Sequence, residues 1–126
     1  MKNIISTDKA PAALGAYSQG VTTEQLLFTA GQLGMDPANG QMVEGGIQAQ
    51  THRALDNLKA VVEAGGSSLE KVLKVTIFLA DMNDFVAMNE IYGGYFKENP
   101  PARSAFQVAA LPKAGLIEIE CVATIK

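Results

Sequence analysis

The stretch KVLKVTIFLA at residues 71–80 decides the fold. It is rich in β-branched and other apolar side chains and contains neither glycine nor proline, which favours a strand. Helical periodicity flanks it on both sides, and strand-like patterns lie beyond each helix. Because a strand–helix–strand connection joins parallel strands, the sequence predicts a partly parallel, mixed sheet and a protein of the α+β class.

The two flanking helices are predicted from apolar residues at helical spacing. The first runs from Ile47 to Ala64 and ends before two glycines. The second runs from about Asn83 or Asp84 to Phe96 and ends before two prolines. Right-handed crossovers that both run in one direction along the sheet place their helices on the same face. We therefore expect two helices on one face of the sheet.

Six strands are predicted in that sheet. The first is KNIIS at residues 2–6, and residues 18–23 and 26–31 form a hairpin. The run at 71–80 is the fourth strand, and two more strands close the chain. The chain is expected to be a single domain over residues 1–126, long enough to bury roughly two thirds of its unfolded surface.

The final strand distinguishes the two faces of the sheet. From Ile117 to Ile125 alternate residues are apolar enough to face the helices, which places Glu118 on the opposite, helix-free face. In the strand at 71–80 both alternating sets contain large apolar side chains: Leu73, Val75, Ile77 and Leu79 on one side and Phe78 on the other. A helix-free face this apolar predicts a homo-oligomer that covers it.

Composition excludes several classes of protein. Hydrophobic residues make up 48% of the chain and charged residues 18%, which is typical of a globular domain. The net charge of −3 argues against a nucleic-acid partner, which needs a basic face. No segment has the length of a membrane span, and residues 1–15 lack the pattern of a signal or transit peptide. We therefore expect a cytoplasmic protein.

The single cysteine and the single histidine are predicted to be structural. Cys121 lies in the apolar set of its strand, so we expect a buried thiol. His52 lies on the polar side of the first helix, with no second histidine or cysteine placed to share a metal, and is expected to be solvated. No metal site is predicted.

Two charged residues near the C-terminus are candidates for chemistry. Arg103 starts a strand and can present a planar fork to a carboxylate, while Glu118 can activate a water. The alternative is a salt bridge between neighbouring strands. Spacing alone favours the salt bridge, because structural ion pairs are common.

Over essentially its whole length the chain resembles the Rid family of reactive-intermediate (enamine/imine) deaminases, also called the YjgF family. The resemblance is carried by five segments in order: APAALGAYSQG, FTAGQLGMDPANGQMV, QTHRALDNLKAVVEAGG, VTIFLADMNDF and PPARSAFQVAALPKAGLIEIE. It implies a fold like the AroH-type bacterial chorismate mutase, in which a homotrimer packs its sheets into a central barrel with clefts between subunits.

The resemblance also implies roles for individual residues. Arg103 matches the arginine that grips the substrate carboxylate, and Glu118 matches the glutamate that positions the attacking water. Both are then expected to belong to the same chain and to face one ligand. Tyr17 matches a tyrosine that enters the cleft from the neighbouring subunit.

Three further positions match residues that line the family's site. Gly31 and Ala105 stand where backbone groups line it, and Asn89 matches an asparagine of the second helix. The chain departs from the family where Ala105 replaces a cysteine, Ala30 a hydroxyl residue and Ala16 a proline. The first two changes bear on substrate range, and the third makes the loop of Tyr17 less stiff.

The implied reaction is hydrolysis of reactive 2-imino or enamine acids, such as 2-aminoacrylate and 2-iminopropanoate, to 2-keto acids and ammonia without a cofactor. An alternative is a non-catalytic trimer that binds keto acids or amino acids in the same cleft. Ribonuclease or translation-inhibitor activity, attributed to some relatives, is the weakest alternative because the chain is acidic and shows no basic, aromatic patch.

Overall fold

Seven strands and two helices form the protein, which a computed structural model describes over residues 1–126. The strands are β1 (Asn3–Ile5), β2 (Gly20–Thr22), β3 (Leu26–Thr29), β4 (Gln32–Leu33), β5 (Val72–Leu79), β6 (Ala102–Gln107) and β7 (Ile117–Thr124). The helices are α1 (Gly46–Ala64) and α2 (Phe85–Tyr95). Neither helix is long and apolar enough to cross a membrane.

The strands form one mixed sheet in the order β1-β2-β3-β7-β5-β6, and β4 also pairs with β7. Only β5 and β6 pair in parallel, and α2 makes the crossover between them. All other pairs are antiparallel. The predicted mixed α+β sheet is therefore confirmed, with β7 at its centre.

Both helices pack on one face of this sheet, as predicted. Leu55 and Leu58 of α1 and Met88 of α2 are fully buried in one cluster with Ile77 of β5 and Ile119 of β7. Cys121 belongs to the same cluster, and burial raises the pKa of its thiol to about 12. The prediction of a buried structural cysteine is confirmed.

The predicted count of six strands is wrong because residues 26–33 contain two strands. Phe28 lies opposite Val122, whereas Gln32 lies opposite Ile119, so this segment carries one residue more than β7 does between the two pairs. The extra residue makes a bulge at 29–31. The Thr29 hydroxyl accepts the Cys121 N–H at 3.0 Å and replaces a ladder carbonyl there.

The predicted grouping of Leu73 with Val75, Ile77 and Leu79 on one side of β5 is also wrong. Val72 and Lys74 pair with the consecutive residues Ala123 and Val122, so Leu73 is the extra residue of a second bulge. Its side chain is 49% exposed, and Val72 is buried in the core instead. A bulge shifts the alternation by one residue, which sequence periodicity does not reveal.

The helix-free face of the sheet carries an apolar row. Ile4, Val21, Phe28 and Val122 are successive partners across β1, β2, β3 and β7. Phe78 and Phe106 pack edge to face nearby, with ring centroids 5.4 Å apart. Ile4, Phe28 and Phe106 are exposed in the single chain. The predicted apolar helix-free face is therefore present.

A buried asparagine of α1 holds β4 in place. The Asn57 amide donates to the carbonyl oxygens of Leu33 at 3.1 Å and Met35 at 2.9 Å, and its side-chain oxygen accepts from Arg53 Nε at 3.1 Å. The carbonyl groups of Leu33 and Met35 lie after the bulge, where pairing with β7 ends, and these bonds provide their hydrogen-bond donors. The short strand β4 thus depends on a side chain from a helix.

We predict that Asn57→Ala lowers the free energy of unfolding by about 2–4 kcal/mol, because it leaves two carbonyl groups of the β4 segment without their donor. Urea unfolding followed by circular dichroism measures the change. Asn3→Ala, at an exposed position of β1, is the control and is expected to change stability by less than about 0.5 kcal/mol. Equal effects of the two substitutions would contradict the role of Asn57.

Candidate active site

Glu118 faces a cavity on the helix-free side of the sheet. It lies on β7 opposite Phe78 of β5 and Leu33 of β4. The cavity has a volume of about 480 Å³, and its walls include Pro11, Leu14, Tyr17, Ala30, Gly31 and Pro112. Tyr17, Gly31 and Glu118 therefore line one cavity of one chain.

The Glu118 carboxyl is half-buried, and its surroundings disfavour the ionised form. Burial raises its pKa above the usual value, and the Glu120 carboxylate two residues along the strand raises the pKa further. A carboxylate whose pKa is raised is a better proton acceptor near neutral pH than a solvated one. This environment suits a general base.

Gly31 allows the Glu118 carboxyl to lie against the backbone. A Cβ atom at position 31 would lie 2.7 Å from Glu118 Cδ and 2.8 Å from Oε2, closer than non-bonded atoms approach. The β3–β4 bulge brings Gly31 to this place. Glycine is required here for close approach, and any side chain would displace the carboxyl.

A buried glutamine holds the part of the cavity wall that lies beside Tyr17. The Gln19 side chain accepts the Thr7 N–H at 2.7 Å and donates to the carbonyl oxygens of Thr7 and Pro11 at 2.9 and 2.8 Å. These bonds hold residues 7–11 against the sheet beside the cavity. Gln19 was not predicted as a site residue, and its one signal is a polar side chain directly before a strand.

Arg103 lies in a different environment, on the helix side of β6. Its partner in register is Val75 of the core face. Arg103 Nη1 donates to Asn89 Oδ1 at 2.7 Å, and the guanidinium carbon lies 4.8 Å from the centroid of the Tyr92 ring and 5.4 Å from that of Phe85. Asn89, Tyr92 and Phe85 thus form a cradle on α2 for the guanidinium.

Asn89 was predicted to line the site, whereas Phe85 and Tyr92 were not. Phe85, Asn89 and Tyr92 are separated by four and three residues, which places them on one side of α2. The helical spacing of the two aromatic residues predicts burial and does not by itself indicate a contact with Arg103. Burial raises the pKa of Tyr92 to about 12, against the opposing effect of the Arg103 charge. Ala105 lies on the same sheet face, paired with Ile77.

The six predicted site residues therefore form two groups within one chain. One group contains Tyr17, Gly31 and Glu118, and the other contains Arg103, Asn89 and Ala105.

The expectation that Arg103 and Glu118 of one chain face the same ligand is wrong. Phe78 pairs with both Glu118 and Phe106, so Glu118 and Phe106 share the helix-free face. Arg103 is three residues from Phe106 on the same strand and points to the other face. The salt bridge between neighbouring strands is wrong as well, because β5 lies between β6 and β7.

Chemically, the two groups are complementary halves. The Arg103 cradle offers a rigid guanidinium for a carboxylate, and the Glu118 cavity offers a base for a water. Nowhere do three histidine, cysteine, aspartate or glutamate side chains converge in a way that would hold a metal ion.

Comparison with known proteins identifies the chain's relatives. The family model described as Endoribonuclease L-PSP matches residues 7–125. A protein of Rattus norvegicus named 2-iminobutanoate/2-iminopropanoate deaminase is 51% identical over 123 residues, which cover 98% of this chain and 90% of the relative. A Homo sapiens protein of the same name is 50% identical over the same shares of both chains.

Solved structures show the same fold. RidA from the Antarctic bacterium Psychrobacter superimposes with a TM-score of 0.94 at 46% identity, covering 98% of this chain and 99% of the other. The structure of E. coli TdcF with bound serine superimposes with a TM-score of 0.93 at 42% identity, covering 97% and 98% of the two chains.

We predict that Gly31→Ala moves the Glu118 carboxyl out toward solvent, because the new methyl group occupies its position. The pKa of Glu118 then falls toward its usual value, which NMR titration of the labelled carboxyl carbon measures. Gly93→Ala is the control, since a Cβ there meets nothing within 4 Å. It lies in α2 and is expected to raise stability by about 0.5–1 kcal/mol without moving the pKa. An unchanged Glu118 pKa in Gly31→Ala would contradict the close approach.

Proposed function

The chain belongs to the Rid family, also called the YjgF family, and is an imine deaminase; we propose that Arg103 and Glu118 carry out its reaction in clefts formed between two copies of the chain. The substrate is a 2-imino acid such as 2-iminopropanoate or its enamine tautomer 2-aminoacrylate. The products are a 2-keto acid and ammonia.

The observation that carries this proposal is the separation of Arg103 from Glu118. In a 2-imino acid the reacting carbon is bonded directly to the carboxylate carbon. Arg103 must therefore contact the substrate carboxylate, and Glu118 must lie one water molecule away from the reacting carbon. Both residues thus lie within ~6 Å of the substrate, which is two hydrogen-bond lengths. In one chain they lie on opposite faces of the sheet. A second copy that brings its Arg103 to the Glu118 cavity supplies the missing half.

The apolar helix-free face supports such an assembly. Phe28 and Phe106 are exposed there in the single chain, and a face of this kind is usually covered by another subunit. Arg103 lies on the edge strand β6, where it is accessible to a neighbour. We propose that this face is covered in a cyclic homotrimer with a central barrel. Every subunit then contributes its Glu118 cavity to one cleft and its Arg103 to the next.

Arg103 binds the substrate carboxylate in this cleft. Asn89 occupies Nη1, and the aromatic rings of the cradle contact the guanidinium through their faces. The remaining N–H groups of Arg103 are left to donate two parallel hydrogen bonds to a carboxylate. This clamp fixes the position of the imine carbon relative to the Glu118 cavity of the neighbouring chain.

Glu118 then moves the proton. Its carboxylate accepts a proton from the water as the water oxygen bonds to the imine carbon. The C=N electron pair shifts to nitrogen, and Glu118 returns the proton to that nitrogen. The resulting carbinolamine has one carbon–oxygen and one carbon–nitrogen single bond. Glu118 accepts the hydroxyl proton as the C=O bond forms and transfers it to the amino nitrogen, so the C–N bond breaks, ammonia leaves and the keto acid remains. Glu118 is suited to both steps because its pKa is raised.

A non-catalytic binding protein is the second candidate. Ala30 and Ala105 stand where family members carry a hydroxyl and a thiol, so the site lacks two polar groups. The relative TdcF was solved with bound serine, an amino acid with the carboxylate that Arg103 would grip. Release of keto acid from an imine generated in situ distinguishes turnover from binding.

RNA cleavage, which the family description names, is less favoured by this site. Glu118 and its neighbour Glu120 place two carboxylates on the same face, and these repel a phosphate backbone.

We predict that inactive variants complement each other when their defects lie in different halves of the cleft. Arg103→Ala and Glu118→Gln are each inactive alone, because each lacks one half. After co-refolding of equal amounts, about a quarter of the clefts in random trimers combine Glu118 from an Arg103→Ala chain with Arg103 from a Glu118→Gln chain. Keto-acid release from 2-iminopropanoate, with subunit exchange verified by a mass tag, measures the recovery.

The matched control places both defects in the same half. Tyr17 and Glu118 line one cavity of one chain, so every cleft in a mixture of Tyr17→Ala and Glu118→Gln carries one defect. We expect no gain over the unmixed variants. Recovery in this mixture, or none in the first despite proven exchange, would refute the shared cleft.

We predict that kcat/KM falls as pH decreases through the raised pKa of Glu118, because the protonated carboxyl cannot accept a proton from water. Glu120→Gln removes the like charge that contributes to this shift, so the acidic limb of the profile moves to lower pH. Glu24→Gln, at an exposed position outside the cavity, is the control and leaves the limb in place. If the acidic limb does not move in Glu120→Gln, the group that titrates there is not Glu118.

A further inference from the structure

We propose that Tyr92 is a positioning residue for Arg103: its ring fixes the plane in which the guanidinium meets the substrate carboxylate. This inference rests on the proposed role of Arg103 as carboxylate clamp. It assigns the orientation of the clamp to a residue that does not itself touch the substrate.

Two restraints orient the guanidinium, and they differ in rigidity. Asn89 accepts one hydrogen bond from Nη1 at 2.7 Å, but Asn89 itself is exposed. A single hydrogen bond at Nη1 still allows the guanidinium plane to tilt through the side-chain torsions of Arg103. The Tyr92 ring, 4.8 Å below the guanidinium carbon, removes this freedom because a cation stacks on the face of an aromatic ring.

The Tyr92 ring is itself held rigidly by the core. Its side chain is only 5% exposed, and the ring packs against Phe96 with centroids 4.7 Å apart and planes inclined by 34°. Phe85 adds a second aromatic contact to the guanidinium at 5.4 Å but is half-buried. Tyr92 is therefore the fixed platform of the cradle.

The hydroxyl of Tyr92 has no part in this role. It is buried and has no hydrogen-bond partner in the protein. A buried hydroxyl without a partner costs stability. The ring face and the hydroxyl can therefore be separated experimentally, since phenylalanine keeps the first and removes the second.

Three variants test the proposal. Tyr92→Leu removes the ring face, Tyr92→Phe removes only the hydroxyl, and Tyr95→Leu removes a ring from the same helix that does not contact Arg103. Tyr95 instead bonds through its hydroxyl to Asp56 of α1 at 2.7 Å. Tyr95→Leu thus controls for the general loss of an aromatic residue from α2.

For Tyr92→Leu we expect KM for 2-iminopropanoate to rise about tenfold, with kcat changed less than threefold, because the carboxylate grip acts in both ground and transition states. For Tyr92→Phe we expect KM within twofold of the parent chain and a higher melting temperature. For Tyr95→Leu we expect a lower melting temperature and an unchanged KM. Titration calorimetry with pyruvate, the keto-acid product, gives a second measure of the grip that does not depend on turnover.

Several results would overturn the proposal. An unchanged KM and pyruvate affinity in Tyr92→Leu would remove the ring from the clamp. An equal rise of KM in Tyr95→Leu would assign the effect to packing of α2, and an equal rise in Tyr92→Phe would assign it to the hydroxyl. If Tyr92→Leu does not fold, Tyr92→Met fills the site without a ring face and carries the same expectation. Absence of imine hydrolysis in the parent chain, with pyruvate binding weakened by Tyr92→Leu, would refute the proposed function and leave the role of Tyr92 standing.

Discussion

The alternation of side chains along β7 is the constraint on which the rest of the structure depends. This strand lies at the centre of the sheet and pairs with β3, β4 and β5. Ile117, Ile119 and Cys121 face the helices and anchor the core, so the intervening glutamates must lie on the other face. A shift of the register by one residue would bury Glu118 and Glu120 and expose the core set. Burial of the apolar side of β7 therefore stabilises the fold and also places Glu118, the candidate base, on the helix-free face.

The same constraint divides the candidate site between two chains. Arg103 belongs to the core-facing set of β6 and Glu118 to the opposite set of β7, so no movement of loops brings them together within one chain. The separation has a chemical consequence. A guanidinium beside Glu118 in the same chain would lower the pKa of the carboxyl, whereas burial and Glu120 raise it. In the proposed cleft the substrate carboxylate pairs with the guanidinium and lies between it and Glu118, which weakens the effect of the Arg103 charge on the pKa of the base.

Much of the fold could be predicted because it follows from local periodicity. The first helix was predicted to begin at Ile47 and begins at Gly46, and Cys121 was correctly assigned to the core. The errors lie where one strand carries an extra residue relative to its partner. The bulge at Leu73 and the additional strand β4 depend on pairing with β7, which is distant in sequence. The roles predicted for Arg103 and Glu118 stay predictions, since the geometry describes positions and not turnover.

The sequence by itself determined the types and order of the elements, the face of β7 that enters the core and the residues able to do chemistry, because each of these depends on side-chain type and near neighbours. Tertiary structure alone decided how those residues are grouped. Pro11 lines the Glu118 cavity beside Tyr17 because Gln19 holds the N-terminal segment there, and Arg103 lies over Tyr92 because the parallel pairing of β6 with β5 turns it toward α2. Both arrangements depend on contacts between segments far apart in the chain, and local sequence patterns do not predict such contacts.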